Sequence, residues 1–184
     1  MTYQDKLLVG TPTWQIELAT QIGTHIDNET SVPTIAVPLR RQRMEDEFRN
    51  TFHPVRPPIY GYNCFGHIFA SRRTAIYTPD IDRSLREDGF GLIPEDQAAA
   101  ADVVLYSDSA GPVHIGRITK ITRTDGTQRV HVLSKFDDCY GEYEHEIQDR
   151  RWDQNPLQLT WKIYRERHKP PQAHRPDWRT VIGV

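Results

Sequence analysis

The sequence predicts an α+β protein, and three observations carry that prediction. Helical spacing of apolar residues is confined to the first half of the chain, strand-like alternation begins near residue 102, and Thr124-Asp125-Gly126-Thr127 is a hairpin signal joining two of the later strands. With 184 residues, of which 37% are hydrophobic and 26% charged, the chain is long enough for one compact domain. Its net charge of −2 provides no global basic field, so neither nucleic acid nor an acidic membrane is an expected partner. Apolar runs such as Ala98-Ala99-Ala100-Ala101 are too short to span a bilayer. The opening MTYQDKLLVGTPTW lacks the basic and apolar regions of a secretory signal. A cytoplasmic protein is expected, or one exported by a specialised system.

Taken in order, residues 13–26 read as a helix, with Trp14, Leu18 and Ile22 on one face. Residues 34–39 read as a strand that Pro33 and Pro38 confine to an edge. Met44, Phe48 and Phe52, spaced by fours in a charged stretch, predict an amphipathic helix over 43–52. His53-Pro54-Val55-Arg56-Pro57-Pro58 then breaks regular structure. Residues 1–58 are therefore expected to form an N-terminal region beside a core of 59–165, and to be the surface through which a protein partner docks. Residues 166–184 would be a C-terminal arm.

Within the core, Asn63 is suited to cap a helix over 65–77, which places Cys64 at its first position. A second short helix is expected to end near Glu87, closed by Asp88-Gly89. Strands follow over 103–106, 113–122, 129–136, 142–147 and 159–164.

A cysteine attacks only as its thiolate, and unpaired N–H groups at a helix start favour an anion there. The same N–H groups, in the region of Asn63 and Cys64, can form an oxyanion hole worth about 3 to 4 kcal/mol per donor. Cys64 is thus the candidate nucleophile. Cys139 lies in Asp137-Asp138-Cys139-Tyr140, where acidic neighbours raise a thiol pKa, and is a poor one. Cys64 and His67 make a Cys-x-x-His without a close second pair, so no metal is expected. His67 shares the helical neighbourhood of Cys64 and reads as a packing or cleft-lining residue.

Tyr62-Asn63-Cys64-Phe65-Gly66-His67-Ile68, Ala101-Asp102-Val103-Val104-Leu105-Tyr106 and Val113-His114-Ile115-Gly116-Arg117-Ile118 occur in that order. Together they resemble the nucleophile, Asp-strand and His-strand motifs of the papain-like NlpC/P60 superfamily, over residues 60–148. The chain also resembles bacterial proteins that combine an Asn-Cys motif with a mid-chain His, a Ser-Lys pair and a Glu-His, here Asn63-Cys64, His114, Ser134-Lys135 and Glu144-His145. Asn63 stands where that superfamily has Asp, Phe65 where it has Ser, His67 where it has an aromatic residue, and Ala101 where it has Gly. The resemblance implies a papain-like fold, with the nucleophile helix packed on an antiparallel sheet. It also implies a cysteine peptidase or amidase that needs no cofactor, with His114 as the base. The expected substrate is a peptide or protein, as for a toxin, effector or defence protease. The alternatives are an acyltransferase or deamidase, or a non-catalytic binding module on the same fold.

A third residue should orient the imidazole. A two-residue turn at Asp125-Gly126 sets His131 opposite Lys120, about 20 Å along the strand from His114. Residues 134–138 are within reach, and the next strand returns Glu144 and His145 towards them. Ser134 and His145 are therefore the expected further site members, with Asp137 in reserve.

Overall fold

Strands dominate the computed structural model, which describes residues 13–31, 46, 51–77, 81–124, 126–136, 140–150 and 158–167. Strands β1 (Thr13–Trp14), β2 (Asn28–Ser31) and β4 (Ala75–Ile76) form a small sheet in the order β1-β2-β4. The large sheet holds β3 (His53–Arg56), β5 (Phe90–Ile93), β6 (Val103–Asp108), β7 (Gly111–Thr124), β8 (Thr127–Lys135), β9 (Glu142–Glu146) and β10 (Thr160–Glu166). Its order is β3-β9-β8-β7-β6-β10-β5, and every pairing is antiparallel. The described α-helices are short: α1 (Cys64–Phe69) has six residues and α2 (Ile81–Glu87) seven. The expected α+β, papain-like fold is therefore corrected to a mostly β-sheet protein with two antiparallel sheets. Among the described residues no helix is long and apolar enough to cross a membrane.

The correction has local causes. Residues 13–26 are not helical, because the side chain of Asn28 substitutes for a backbone ladder. Its Oδ1 accepts from the Ile16 N–H at 3.0 Å, and its Nδ2 donates to the Ile16 and Ile26 carbonyls at 2.9 Å. The Trp14, Leu18, Ile22 spacing does not mark a buried face either, since Trp14 and Ile22 are exposed and only Leu18 is buried. Helix α1 stops at Phe69 rather than running to residue 77. The Gly66 carbonyl takes the N–H groups of both Ala70 and Arg72, and Ser71 and Arg72 adopt left-handed φ of 49° and 69°. Gly66 permits this reversal, since a Cβ there would lie 1.8 Å from the Thr74 carbonyl oxygen. Strand β5 was not anticipated, and it pairs with β10 at the sheet edge. The expected helix over 43–52 and strand over 34–39 fall almost wholly outside the described residues. Strands from the N-terminal region join both sheets, with β2 on β4 and β3 on β9.

Alternation along β7 gives the large sheet two dissimilar faces. On the first, Ile115 packs in a cluster with Val103, Leu105, Leu85, Ile76 and Cys64. On the second, Ile118 packs with Val104, Tyr106, Val130 and Val132. The expected hairpin register, His131 opposite Lys120, runs as far as a bulge at Thr119; beyond it the ladder slips by one residue and Gly116 faces Ser134. A Cβ on Gly116 would lie 2.4 Å from Val132 Cγ1 and 2.6 Å from Ser134 Oγ. Gly116→Val is expected to cost about 1 to 3 kcal/mol by overpacking the second face, read from urea unfolding. A variant as stable as the parent contradicts that packing.

Candidate functional site

Asn63 caps α1 in an extended conformation, its Oδ1 accepting from the Gly66 N–H at 2.9 Å. The same oxygen accepts from the Ile76 N–H at 3.1 Å, while Nδ2 donates to the Ile76 carbonyl at 2.8 Å. The side chain thus sews the helix start to β4. It is committed to this role, so an oxyanion donor here would have to be a backbone N–H of the first turn. Cys64 follows at the head of α1, 6% exposed, on the first face of the sheet.

His114 does not share that face. It pairs with Tyr106 across β6 and β7, and its ring stacks on Phe136 at 5.1 Å and 2°. Its neighbour Ile115 points into the cluster that holds Cys64. Consecutive strand residues project to opposite sides, so His114 points away from the face that Ile115 lines. Burial, reinforced by His145 and His67, holds the His114 pKa well below the usual histidine range.

Ser134 and His145 are brought together, but on the second face with His114. His145 Nδ1 lies 2.9 Å from the Glu146 carbonyl and Nε2 lies 2.9 Å from Ser134 Oγ. A carbonyl only accepts, so Nδ1 carries the proton and Ser134 donates to Nε2. Both residues are closed off from solvent and packed with Phe52, Phe136 and Tyr143. Burial, opposed by the Glu146 hydrogen bond, pulls the His145 pKa down to about 4. His131 stands away from the site, opposite Lys120 and 3.7 Å from Glu144. Asp137 and Cys139 lie outside the described residues.

The polar residues that accompany Cys64 on the first face were not singled out from the sequence as a group. Glu142 is fully buried and bound by three partners. Tyr62 Oη donates to its Oε1 at 2.7 Å, Arg72 spans both carboxylate oxygens, and Arg56 Nε lies 3.5 Å from Oε2. Arg72 Nη2 also reaches His67 Nε2 at 2.9 Å. Lys135, equally buried and paired with Glu142 across β8 and β9, sits over the Tyr62 ring and donates to the Tyr140 carbonyl. Burial pushes the Glu142 pKa up, but the hydrogen bonds from Arg72 and Tyr62 outweigh it and the net shift is downward. A sequence signal existed, since Lys135 and Glu142 fall at the facing ends of the successive strands expected over 129–136 and 142–147.

His67 is the imidazole on the thiol's helix. An arginine can only donate, so His67 Nε2 is an acceptor and the neutral ring holds its proton on Nδ1. That Nδ1 is buried and has no hydrogen-bond partner among the described residues. Burial lowers the His67 pKa to about 4, with Arg72, Arg117 and Arg56 working in the same direction against Glu142.

Among the described residues no group of three or more His, Cys, Asp or Glu is arranged to hold a metal. Comparison with protein families, with curated proteins and with solved structures finds no match for this chain.

Two outcomes are expected for stability. His67 and His145 titrate near 4 when folded against 6.5 when unfolded, so the unfolded chain binds protons first. Stability should be fully present above pH 6.5 and fall as the pH drops towards 4, by at most ~1.4 kcal/mol per pH unit for each ring. Urea unfolding across this window checks it, and a flat profile contradicts it. Glu142→Gln should destabilise by about 3 to 5 kcal/mol, because it leaves Arg72 without its buried counter-charge. The double variant Glu142→Gln/Arg72→Met should recover part of that loss.

Proposed function

We propose that this chain is a thiol enzyme of the acyl-transfer class, in which Cys64 attacks a carbonyl carbon of a peptide or protein substrate. The observation that carries the reading is the company of Cys64. It heads a capped helix that also carries an imidazole whose Nδ1–H has no acceptor among the described residues and whose charge state Arg72, Arg117 and Arg56 influence.

His67 is not the general base of this reading. Taking the Cys64 proton at Nδ1 requires the other tautomer, which sets an Nε2–H against a guanidinium N–H of Arg72. Its role is to donate a hydrogen bond to negative charge, on sulfur or on the substrate oxygen, while nearby arginines favour the anion. The thiol proton leaves to solvent. The thiolate forms the S–C bond and the carbonyl electron pair moves to oxygen; collapse of that oxyanion breaks the C–N bond, and the leaving amine takes its proton from solvent. Water or an acceptor then releases the thioester: hydrolysis in the first case, transfer in the second.

A second reading, a binding module without catalysis, draws on the separation of Cys64 from His114 and on the low exposure of the sulfur. Thiol reactivity divides the two. The enzyme reading expects iodoacetamide to alkylate Cys64 at about pH 6 faster than it alkylates free cysteine, with a rate that rises through a single ionisation. It further expects His67→Gln to slow the reaction at least ~10-fold, the size of one charge-assisted hydrogen bond, and His114→Phe to change it little. If Cys64 is no more reactive than free cysteine, or if His114→Phe alone abolishes labelling, the reading fails.

A further inference from the structure

We propose that the cationic cluster around His67 is a subsite for a substrate carboxylate, placed beside the carbonyl that Cys64 attacks. The inference rests on the thiol-enzyme reading for its purpose, but its evidence is separate. His67 is 5% exposed, and its Nδ1–H has no acceptor among the described residues. Leaving such a donor buried and unsatisfied costs about 1 to 3 kcal/mol, which a ligand oxygen removes.

Charge points the same way. Arg72 and Arg56 both address the one carboxylate of Glu142, Arg117 acts on His67 from β7, and Lys135 lies across the strand pair from Glu142. Glu142 lies among these cations, and Glu166 acts on Arg117. Arg72 uses Nε and Nη2 on Glu142 and His67, and Arg117 uses Nη1 on the Ala101 carbonyl, so each guanidinium keeps other N–H groups for a further oxygen. Arg72 and Arg56 are 34% and 53% exposed, so this side of the cluster reaches solvent. Planar guanidinium groups beside an imidazole N–H suit the two coplanar oxygens of a carboxylate. A carboxylate is also the anion a peptide substrate would carry, as a terminus or an acidic side chain.

The test compares iodoacetate with iodoacetamide as alkylating agents of the full chain, with the modified cysteine identified by peptide mapping. Both reagents form a C–S bond and release iodide, and differ in carrying a carboxylate or a neutral amide. The subsite predicts that the iodoacetate-to-iodoacetamide rate ratio at Cys64 exceeds that of free cysteine about tenfold. It predicts that Arg117→Gln and Arg56→Gln, which spare the Arg72–Glu142 pair, return the ratio towards the free value. N-acetylglycine should protect Cys64 if a terminal carboxylate is bound, and an amide-capped glutamate if a side chain is. A ratio equal to that of free cysteine overturns the proposal. If neither reagent modifies Cys64, the thiol-enzyme reading fails on its own account. The subsite is then decided by the ring resonances of His67: saturable movement with sodium acetate but not with sodium chloride sustains it, and no movement means a buried water only.

Discussion

A carboxylate with no access to water must find its counter-charges inside the protein, and Glu142 sets that requirement on everything around it. Tyr62 comes from the approach to α1, Arg72 from the left-handed turn that ends it, and Arg56 from the edge strand β3. Three neighbouring segments that lie far from Glu142 in sequence are thereby fixed to the start of β9. The turn at Arg72 also brings a guanidinium onto His67 and so decides which ring nitrogen holds the proton. The chemistry available next to Cys64 is a consequence of neutralising Glu142.

The large sheet then keeps two polar centres apart. On its first face stand Cys64, His67 and the Glu142 network. On its second stand His114 and the Ser134–His145 pair, enclosed by Phe52, Phe136 and Tyr143. The second centre is buried, its described hydrogen bonds are internal, and burial favours the neutral form of its imidazoles. Such a centre specifies strand register, because a slip of one residue along β8 would part Ser134 from His145 and drive a side chain into Gly116. The first centre gathers several cations around Glu142, and among the described residues the His67 Nδ1–H has no acceptor.

Much of the strand pattern was legible in the sequence, because alternation and the Asp125-Gly126 turn signal are local. The cap at Asn63 and the position of Cys64 were local as well. Which side of β7 His114 faces was not, since it depends on where α1 packs, and only tertiary contacts decide that. The helix expected over 13–26 misled for the reverse reason: the spacing of Trp14, Leu18 and Ile22 is helical, yet the Asn28 side chain binds the backbone of Ile16 and holds the segment extended. The role of His67 could not be read from its own neighbourhood either. It follows from a hydrogen bond to Arg72 that exists because Arg72 must also reach Glu142, seventy residues further on.

Cys64 shares α1 with His67 and packs with Ile115, whereas His114 pairs with Tyr106 and stacks on Phe136, and the thiol chemistry rests on this placement. Ring resonances of the histidines, recorded before and after alkylation of Cys64, test it most directly. The account predicts that the His67 signals move while those of His114 stay in place. Movement of His114 with His67 unchanged would contradict it.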